Sequence, residues 1–261
     1  VAPRPASPAD GIAWVTGGSS GIGKAVALEL ARRGFQVAIT ARRQAELAAV
    51  AMEMPTHIFA YPADVTDTDA MADISKQLLT RFGAISLVIA NAGLYIPTNA
   101  EHMTQEIAAY RTTFDVNLMG VINTLAPSID AMLARGSGQI GIVSSVTGYG
   151  GLPTSGAYGA TKAALINLCE GLWFDLDPRG IALSIINPGF VDTPATADNP
   201  FPMPFLISVD LAAKRIVDGL ARGDYEITFP RRFTYLLKLI NLLPRPLYLK
   251  LVARATGWRG R

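Results

Sequence analysis

Short apolar, β-branched runs alternate with longer stretches of helical period along most of the chain. Positions 12–16, 36–41, 57–63, 86–90, 139–144, 182–187 and 226–229 read as strands. Between them, 22–33, 69–82, 105–134, 155–177 and 209–221 carry helical periodicity. Several strands are apolar throughout (IAWV, LVIA, LSII), as strands become when both sheet faces are covered. Strand–helix alternation of this kind predicts an α/β fold: a doubly wound parallel sheet of about seven strands with helices on both faces. No repeat and no linker divides the pattern, so residues 11–230 form one domain. Residues 1–10, VAPRPASPAD, read as a disordered leader, and 231–261 as a C-terminal extension of the domain.

Composition and charge narrow the picture. The single Cys169 excludes a disulfide framework and a cysteine-based zinc site. His57 and His102 lie far apart in sequence, so no histidine-rich metal centre is expected. The net charge of +2 excludes a polycation built for nucleic acid, but it conceals a segregation. Residues 1–230 hold 15 Lys and Arg against 21 Asp and Glu, whereas 231–261 hold eight basic residues and no acid. The leader lacks the apolar core of a secretory signal, and no run reaches the ~18 apolar residues of a spanning helix. The longest candidate, 235–243, is interrupted by Lys238 and as a helix would measure only about 13 Å. A cytoplasmic protein is expected, with the extension as its route to a membrane surface.

In an open parallel sheet, ligands bind beyond the carboxyl ends of the strands. After the first strand comes Thr16-Gly-Gly-Ser-Ser-Gly-Ile-Gly23, opening directly into a helix. Gly17, Gly21 and Gly23 would permit a tight turn and close approach to a pyrophosphate, which a helix N-terminus stabilises. Residues 18–24 also spell G-x-x-x-x-G-K, but Ala25 stands where an NTPase loop needs a hydroxyl for Mg²⁺. The dinucleotide reading therefore stands ahead of the NTPase one, and the expected fold is Rossmann-like. At the end of the second strand, Thr40-Ala41-Arg42-Arg43 offers no acid for a ribose 2′-OH, whereas Arg accommodates a 2′-phosphate. NADP(H) is thus expected ahead of NAD(H); the alternative is two solvated arginines opening a helix.

Tyr158 and Lys162 lie one helical turn apart on a shared face. A nearby ammonium favours a phenolate, and such a tyrosine could give a proton to a developing alkoxide and take it back. Ser144-Ser145 closes a strand shortly upstream, where a hydroxyl could hold a carbonyl oxygen. Cys169 sits in the apolar stretch LINLCEGLW and reads as a buried thiol. Asp64, Asp67 and Asp69 resemble a cation site, but the last two read better as helix caps.

TGGSSGIG, Asn91-Ala92-Gly93, Asn117 within DVNLMG, Ser145, Tyr158-x-x-x-Lys162 and Pro188-Gly189 through Thr193 occur in this order. Over about residues 10–230 the chain resembles the single-domain short-chain dehydrogenase/reductase family. The resemblance implies Tyr158 as general acid/base, Ser145 orienting the substrate carbonyl, and Lys162 holding the nicotinamide ribose and lowering the tyrosine pKa. It implies Asn117 anchoring a water in a proton relay. It places Ser19, Ser20, Ile22, Asp64, Val65, Asn91, Ala92, Gly93, Pro188, Gly189, Val191 and Thr193 along the cofactor. A protein of the same fold that senses nucleotide without chemistry is the alternative, though it has no need of the Asn117, Ser145, Tyr158 and Lys162 set.

Tyr95, Tyr149, Phe190, Phe201 and Phe205 are the candidate substrate contacts, joined by Leu152, Met203 and Leu206. The stretch after Thr193 has no Lys or Arg to grip an anion, so a small apolar carbonyl or alcohol is expected. The chain departs from the family at its end, where RRFTYLLKLINLLPRPLYLKLVARATGWRGR follows the last strand. Its leucines have three possible partners: a bilayer interface, a second subunit or the domain itself. The departure puts the family's usual tetramer in doubt and favours a dimer through the helices around Asn117 and Tyr158.

Overall fold

The computed structural model describes residues 3–196 and 203–258. Seven strands form one parallel sheet: β1 (Ile12–Thr16), β2 (Val37–Thr40), β3 (Ile58–Ala60), β4 (Ile85–Ala90), β5 (Gly138–Val143), β6 (Ile181–Pro188) and β7 (Glu226–Phe229). Their order is β3-β2-β1-β4-β5-β6-β7, so the winding reverses between β1 and β4. Along β1 the side chains alternate between two cores. Ala13 and Val15 pack with Val26 and Leu30 of α1 (Gly21–Arg32) and Ile216 and Leu220 of α7 (Val209–Arg222). Ile12 and Trp14 pack on the other side with Ile74 and Leu78 of α3 (Thr68–Phe82), Leu125 of α5 (Gly120–Arg135) and Leu165 of α6 (Gly156–Leu176). Both sheet faces are covered, which is why the strands read as continuous apolar runs.

The expected helix over 105–134 is continuous and contains one wide turn. A helix α4 (Ile107–Phe114) passes into one wide turn, Asp115–Met119, before α5 begins. The stretch Ile107–Arg135 is long and apolar enough to cross a membrane by length and composition. Half of its most apolar window is buried in the fold, so it serves as a core helix here. A helix that the periodicity does not single out, α2 (Gln44–Glu53), buries only Leu47 and Val50. Asp67 caps α3, accepting from the Ala70 N–H at 3.0 Å, as its place in sequence suggests.

The leader is not disordered over its described residues. Arg4 pairs with Asp10 at 2.6 Å, and Ser7 opens a short turn of helix over Pro8–Asp10. The Ala6 N–H donates to the carboxamide of Gln139 at 2.9 Å. Gln139 is itself buried in β5 and donates onward to the Leu220 carbonyl at 2.8 Å. A Pro- and Ala-rich segment loses little side-chain entropy on docking, so one buried partner goes far toward ordering it.

The extension forms two helices, α8 (Arg231–Asn241) and α9 (Arg245–Ala255), that fold back on the domain. Replacing Gln139→Leu strands the Ala6 N–H and the Leu220 carbonyl together. We expect a loss of about 1–3 kcal/mol of unfolding free energy in urea titrations. An unchanged midpoint would mean that the leader is not docked in solution.

Candidate active site

The glycine turn is shaped by close approach. Gly17 and Gly21 have φ of 69° and 54°, in the left-handed region. A Cβ on Gly23 would lie 2.3 Å from the Gly17 carbonyl oxygen, so α1 can begin this close to the turn only with glycine there. Asn91, just past β4, ties the turn down: its side-chain amide donates to the Thr16 carbonyl at 2.9 Å. The Thr16 hydroxyl accepts from the Asn91 and Ala92 N–H groups, both at 3.2 Å. Ser20 makes no side-chain cap and the first turn of α1 holds no acid. The positive end of the helix and its unpaired N–H groups are thereby left for an anion.

Beside this turn runs a cleft of about 180 Å³, lined by Gly17, Ser19, Ser20, Arg42, Arg43, Asp64, Val65, Asn91, Ala92 and Gly93. A second cleft of about 140 Å³ shares Asn91 and Gly93 with it and adds Ile22, Ser145, Tyr158, Lys162, Pro188, Gly189, Val191 and Thr193. The sequence-derived cofactor residues thus line these two clefts, while Gly21 and Gly23 shape the turn between them. Arg42 lies 3.7 Å from Asp64; Arg43 reaches Glu46 at 2.8 Å and the Ser20 hydroxyl at 3.3 Å.

Tyr158 and Ser145 line both the second cleft and an apolar pocket; Lys162 lines the cleft, and Asn117 lies fully buried behind Gly93. The Lys162 ammonium is buried, donates to the Val143 carbonyl at 2.9 Å, and stands 5.4 Å from the Tyr158 ring centroid. Ser145 caps the short turn Val146–Gly148 after β5, and its oxygen accepts from the Thr147 N–H at 3.2 Å. Asn117 sits in the wide turn between α4 and α5, accepts from the Leu94 N–H at 2.8 Å and donates to the Leu94 carbonyl at 2.9 Å. Its carboxamide therefore clamps the strand-end loop that carries Gly93.

The electrostatics differ from expectation at one point. Burial pushes the Tyr158 phenol up to about 12; the Ser145 side chain draws it down and Tyr95 adds to the rise. Lys162 is not among the influences on the phenol, because its ammonium is directed at Val143. Burial alone draws Lys162 down to about 8.

The apolar pocket measures about 160 Å³ and is lined by Tyr95, Ser145, Val146, Leu152, Pro153, Tyr158, Phe190, Thr196 and Thr256, among others. Tyr95 meets Tyr158 edge-on, with centroids 5.3 Å apart. Tyr149 does not line this pocket: its hydroxyl is drawn to the Glu226 carboxylate at 2.6 Å. Phe205 is 55% exposed and packs instead toward Phe233 of α8, at 6.0 Å between ring centroids. Phe201 lies outside the described residues. Thr256, at the end of α9, is a lining residue that no strand-end or motif argument could have found.

A family model described as short chain dehydrogenase matches residues 11–201. The chain belongs to the short-chain dehydrogenase/reductase family. It is an oxidoreductase that works on alcohol and carbonyl groups with a nicotinamide cofactor. An uncharacterized oxidoreductase of Myxococcus xanthus is 38% identical over 239 residues, covering 90% of this chain and 94% of the relative. Among solved structures, an alcohol dehydrogenase from Thermococcus sibiricus complexed with 5-hydroxy-NADP superposes with a TM-score of 0.74. It is 30% identical and the match covers 84% of this chain and 95% of that one. A short-chain dehydrogenase from Streptomyces avermitilis gives a TM-score of 0.78 at 25% identity, covering 98% of this chain and 99% of that one. Coverage of that extent takes in the extension as well as the domain.

The buried lysine of this dehydrogenase makes stability depend on pH. With Lys162 near 8 when folded and near 10.5 when unfolded, the unfolded state binds the extra proton between those values. Stability contributed at this site is therefore reduced below pH ~8 and rises with pH above it. Relative to Lys162→Met, the wild-type protein should gain about 1–2 kcal/mol between pH 8 and 10 in urea unfolding. A flat difference would mean that the ammonium is solvated.

Proposed function

We propose that this oxidoreductase uses NADP(H) and interconverts an apolar ketone and its secondary alcohol, with Tyr158 as general acid/base. The observation that carries the reading is the meeting of Tyr158 and Ser145 with both an apolar pocket and the glycine-shaped cleft. Among the described residues the lining gives no cationic side chain to a charged substrate tail. Arg42 and Arg43, with no acid at the end of β2, support the 2′-phosphate form, as does the NADP derivative in the Thermococcus relative.

When bound, the nicotinamide supplies or accepts the hydride. The α1 N-terminus and Ser19–Gly23 would hold its pyrophosphate, Arg42 and Arg43 its 2′-phosphate, and Lys162 its ribose hydroxyls. The remaining chemistry belongs to this chain. Ser145 receives its hydrogen bond from Thr147, which leaves its O–H to donate to the substrate oxygen. Burial keeps Tyr158 protonated at neutral pH, so in reduction it can give its phenolic proton to the developing alkoxide. The resulting phenolate shares the site with the Lys162 ammonium, which stands 5.4 Å from the Tyr158 ring centroid. In oxidation the same phenolate takes the alcohol proton. Asn117 keeps Leu94 and Gly93 in place, so that Gly93 lines both clefts at once.

An assay of NADPH and NADH consumption over a panel of ketones tests the reading directly, with faster turnover expected with NADPH. Activity with neither cofactor, while cofactor still binds, would restore the sensing alternative. In the active pairing, Tyr158→Phe should lower kcat by at least about 10²–10⁴-fold while leaving NADPH affinity intact. Near-normal turnover would remove Tyr158 from its role. Arg42→Asp should move preference toward NADH, as judged from the ratio of kcat/KM values. An unchanged ratio would assign phosphate reading to another group.

A further inference from the structure

The extension has two faces with opposite character. Its inner face is fastened to the wall of the substrate pocket. Thr234 and Tyr248 are buried, and the Tyr248 hydroxyl donates to the Gly151 carbonyl at 3.0 Å. Phe233 packs against Phe190 at 5.7 Å between centroids, and Lys238 pairs with Glu226. Thr256 completes the pocket lining. The leucines that the sequence leaves to three candidate partners are therefore not spent on the domain alone.

On the outer face, Leu239 is 64% exposed and Leu242 82%, with Tyr235, Leu236, Leu247 and Leu251 also exposed around them. Along α8 and its C-terminal cap Leu242, the spacing 235, 239, 242 places these residues on one side of the helix. The same two helices carry the exposed cations Arg231, Arg232, Arg245, Lys250 and Arg254; Lys238 alone among the described cations of the extension is paired with a carboxylate. A second copy would need acidic groups to meet these charges. The extension, as the face that would pair with itself, has none. A different apolar surface, with Trp173 and Phe174 of α6 exposed, lies on the helices expected to form a dimer.

We propose that the outer face of the α8–α9 hairpin lies in the interface of an anionic lipid bilayer and seats the substrate pocket beside it. Two separable forces hold it there. Leucines enter the headgroup–acyl boundary, and the arginines and lysines meet anionic headgroups with a strength that salt reduces. The surface stands independently of the reaction. Only the corollary, a substrate dissolved in the bilayer, rests on the apolar ketone reading above.

Flotation of the full chain with vesicles of phosphatidylcholine, alone or mixed with phosphatidylglycerol, tests the surface without using turnover. The full chain should float with the mixed vesicles, less at high salt, and much less with phosphatidylcholine alone. The double variant Leu239→Glu with Leu242→Glu should weaken vesicle binding about tenfold or more. It should keep the wild-type melting temperature and soluble-substrate kcat, since both leucines are exposed. Lys250→Glu with Arg254→Glu should lose binding to the mixed vesicles in the same way. A full chain that stays with the soluble fraction, or a leucine variant that floats as well as wild type, overturns the proposal. If the full chain ignores vesicles and the leucine variant shifts from dimer to monomer by light scattering, the face belongs to a second copy.

Discussion

The Lys162 ammonium is buried where, among the described residues, its one hydrogen-bond acceptor is the carbonyl of Val143, at 2.9 Å, and no carboxylate offsets its desolvation. A charge in such a place is tolerated only if the backbone around it is held very closely. The Ser144 hydroxyl donates to the Lys162 carbonyl at 2.8 Å, joining the end of β5 to the middle of α6. Gly148 packs so tightly there that a Cβ would lie 2.9 Å from the same carbonyl oxygen. A Cβ on Gly93 would stand 3.7 Å from the ammonium and 3.3 Å from the Asn117 oxygen. Four chain segments are thus fixed by the need to place one amine, and Tyr158 is carried into position one turn before it.

The parallel sheet explains why these segments meet at all. β1, β4, β5 and β6 run the same way, so Gly17, Asn91, Ser145 and Gly189 emerge along one edge. The reversal of winding between β1 and β4 leaves the helices on the two sides diverging there, and the cleft forms in the gap. Asn117 comes from a helix rather than a strand end, and the wide turn Asp115–Met119 brings it inward. A regular helix through 115–119 would place successive side chains at a different angle around the axis.

Local patterns were legible in the sequence, and long-range pairings were not. Tyr158 and Lys162 are tied by helical spacing, and the glycine turn by its own crowding, so both could be read from neighbours in the chain. Tyr149 could not: its direction is decided by Glu226, 77 residues away. The same holds for the leader, whose order depends on Gln139, and for Thr256, which reaches the pocket only because α9 folds back. α2 leaves no clear period in the sequence because its apolar residues are spread around the helix, while only Leu47 and Val50 are buried. The effect of Lys162 on Tyr158 is illegible in the sequence for a related reason. Spacing alone fixes that they share a face, but where the ammonium points depends on Val143 in another element.

Glu226 shows how the extension becomes part of the site rather than an addition to it. Burial pushes this carboxyl up, yet bonds from Lys238, Tyr149 and Asn187 outweigh that and hold it below its ordinary range. Its oxygens accept from Tyr149 at 2.6 Å and Asn187 at 3.0 Å, and Lys238 of α8 closes the pair. One carboxylate therefore gathers the loop after β5, the end of β6 and the first helix of the extension. Removing any one donor leaves a half-buried charge less well paired, which costs more than the bond itself. The loop that carries Ser145 runs on to Tyr149, and β6, with Asn187 next to its last residue, leads directly to Gly189. The first helix of the extension is thereby tied to two chain segments that lead into the substrate pocket. Sequence places the extension beyond the last strand; its chemistry places it against the reacting groups.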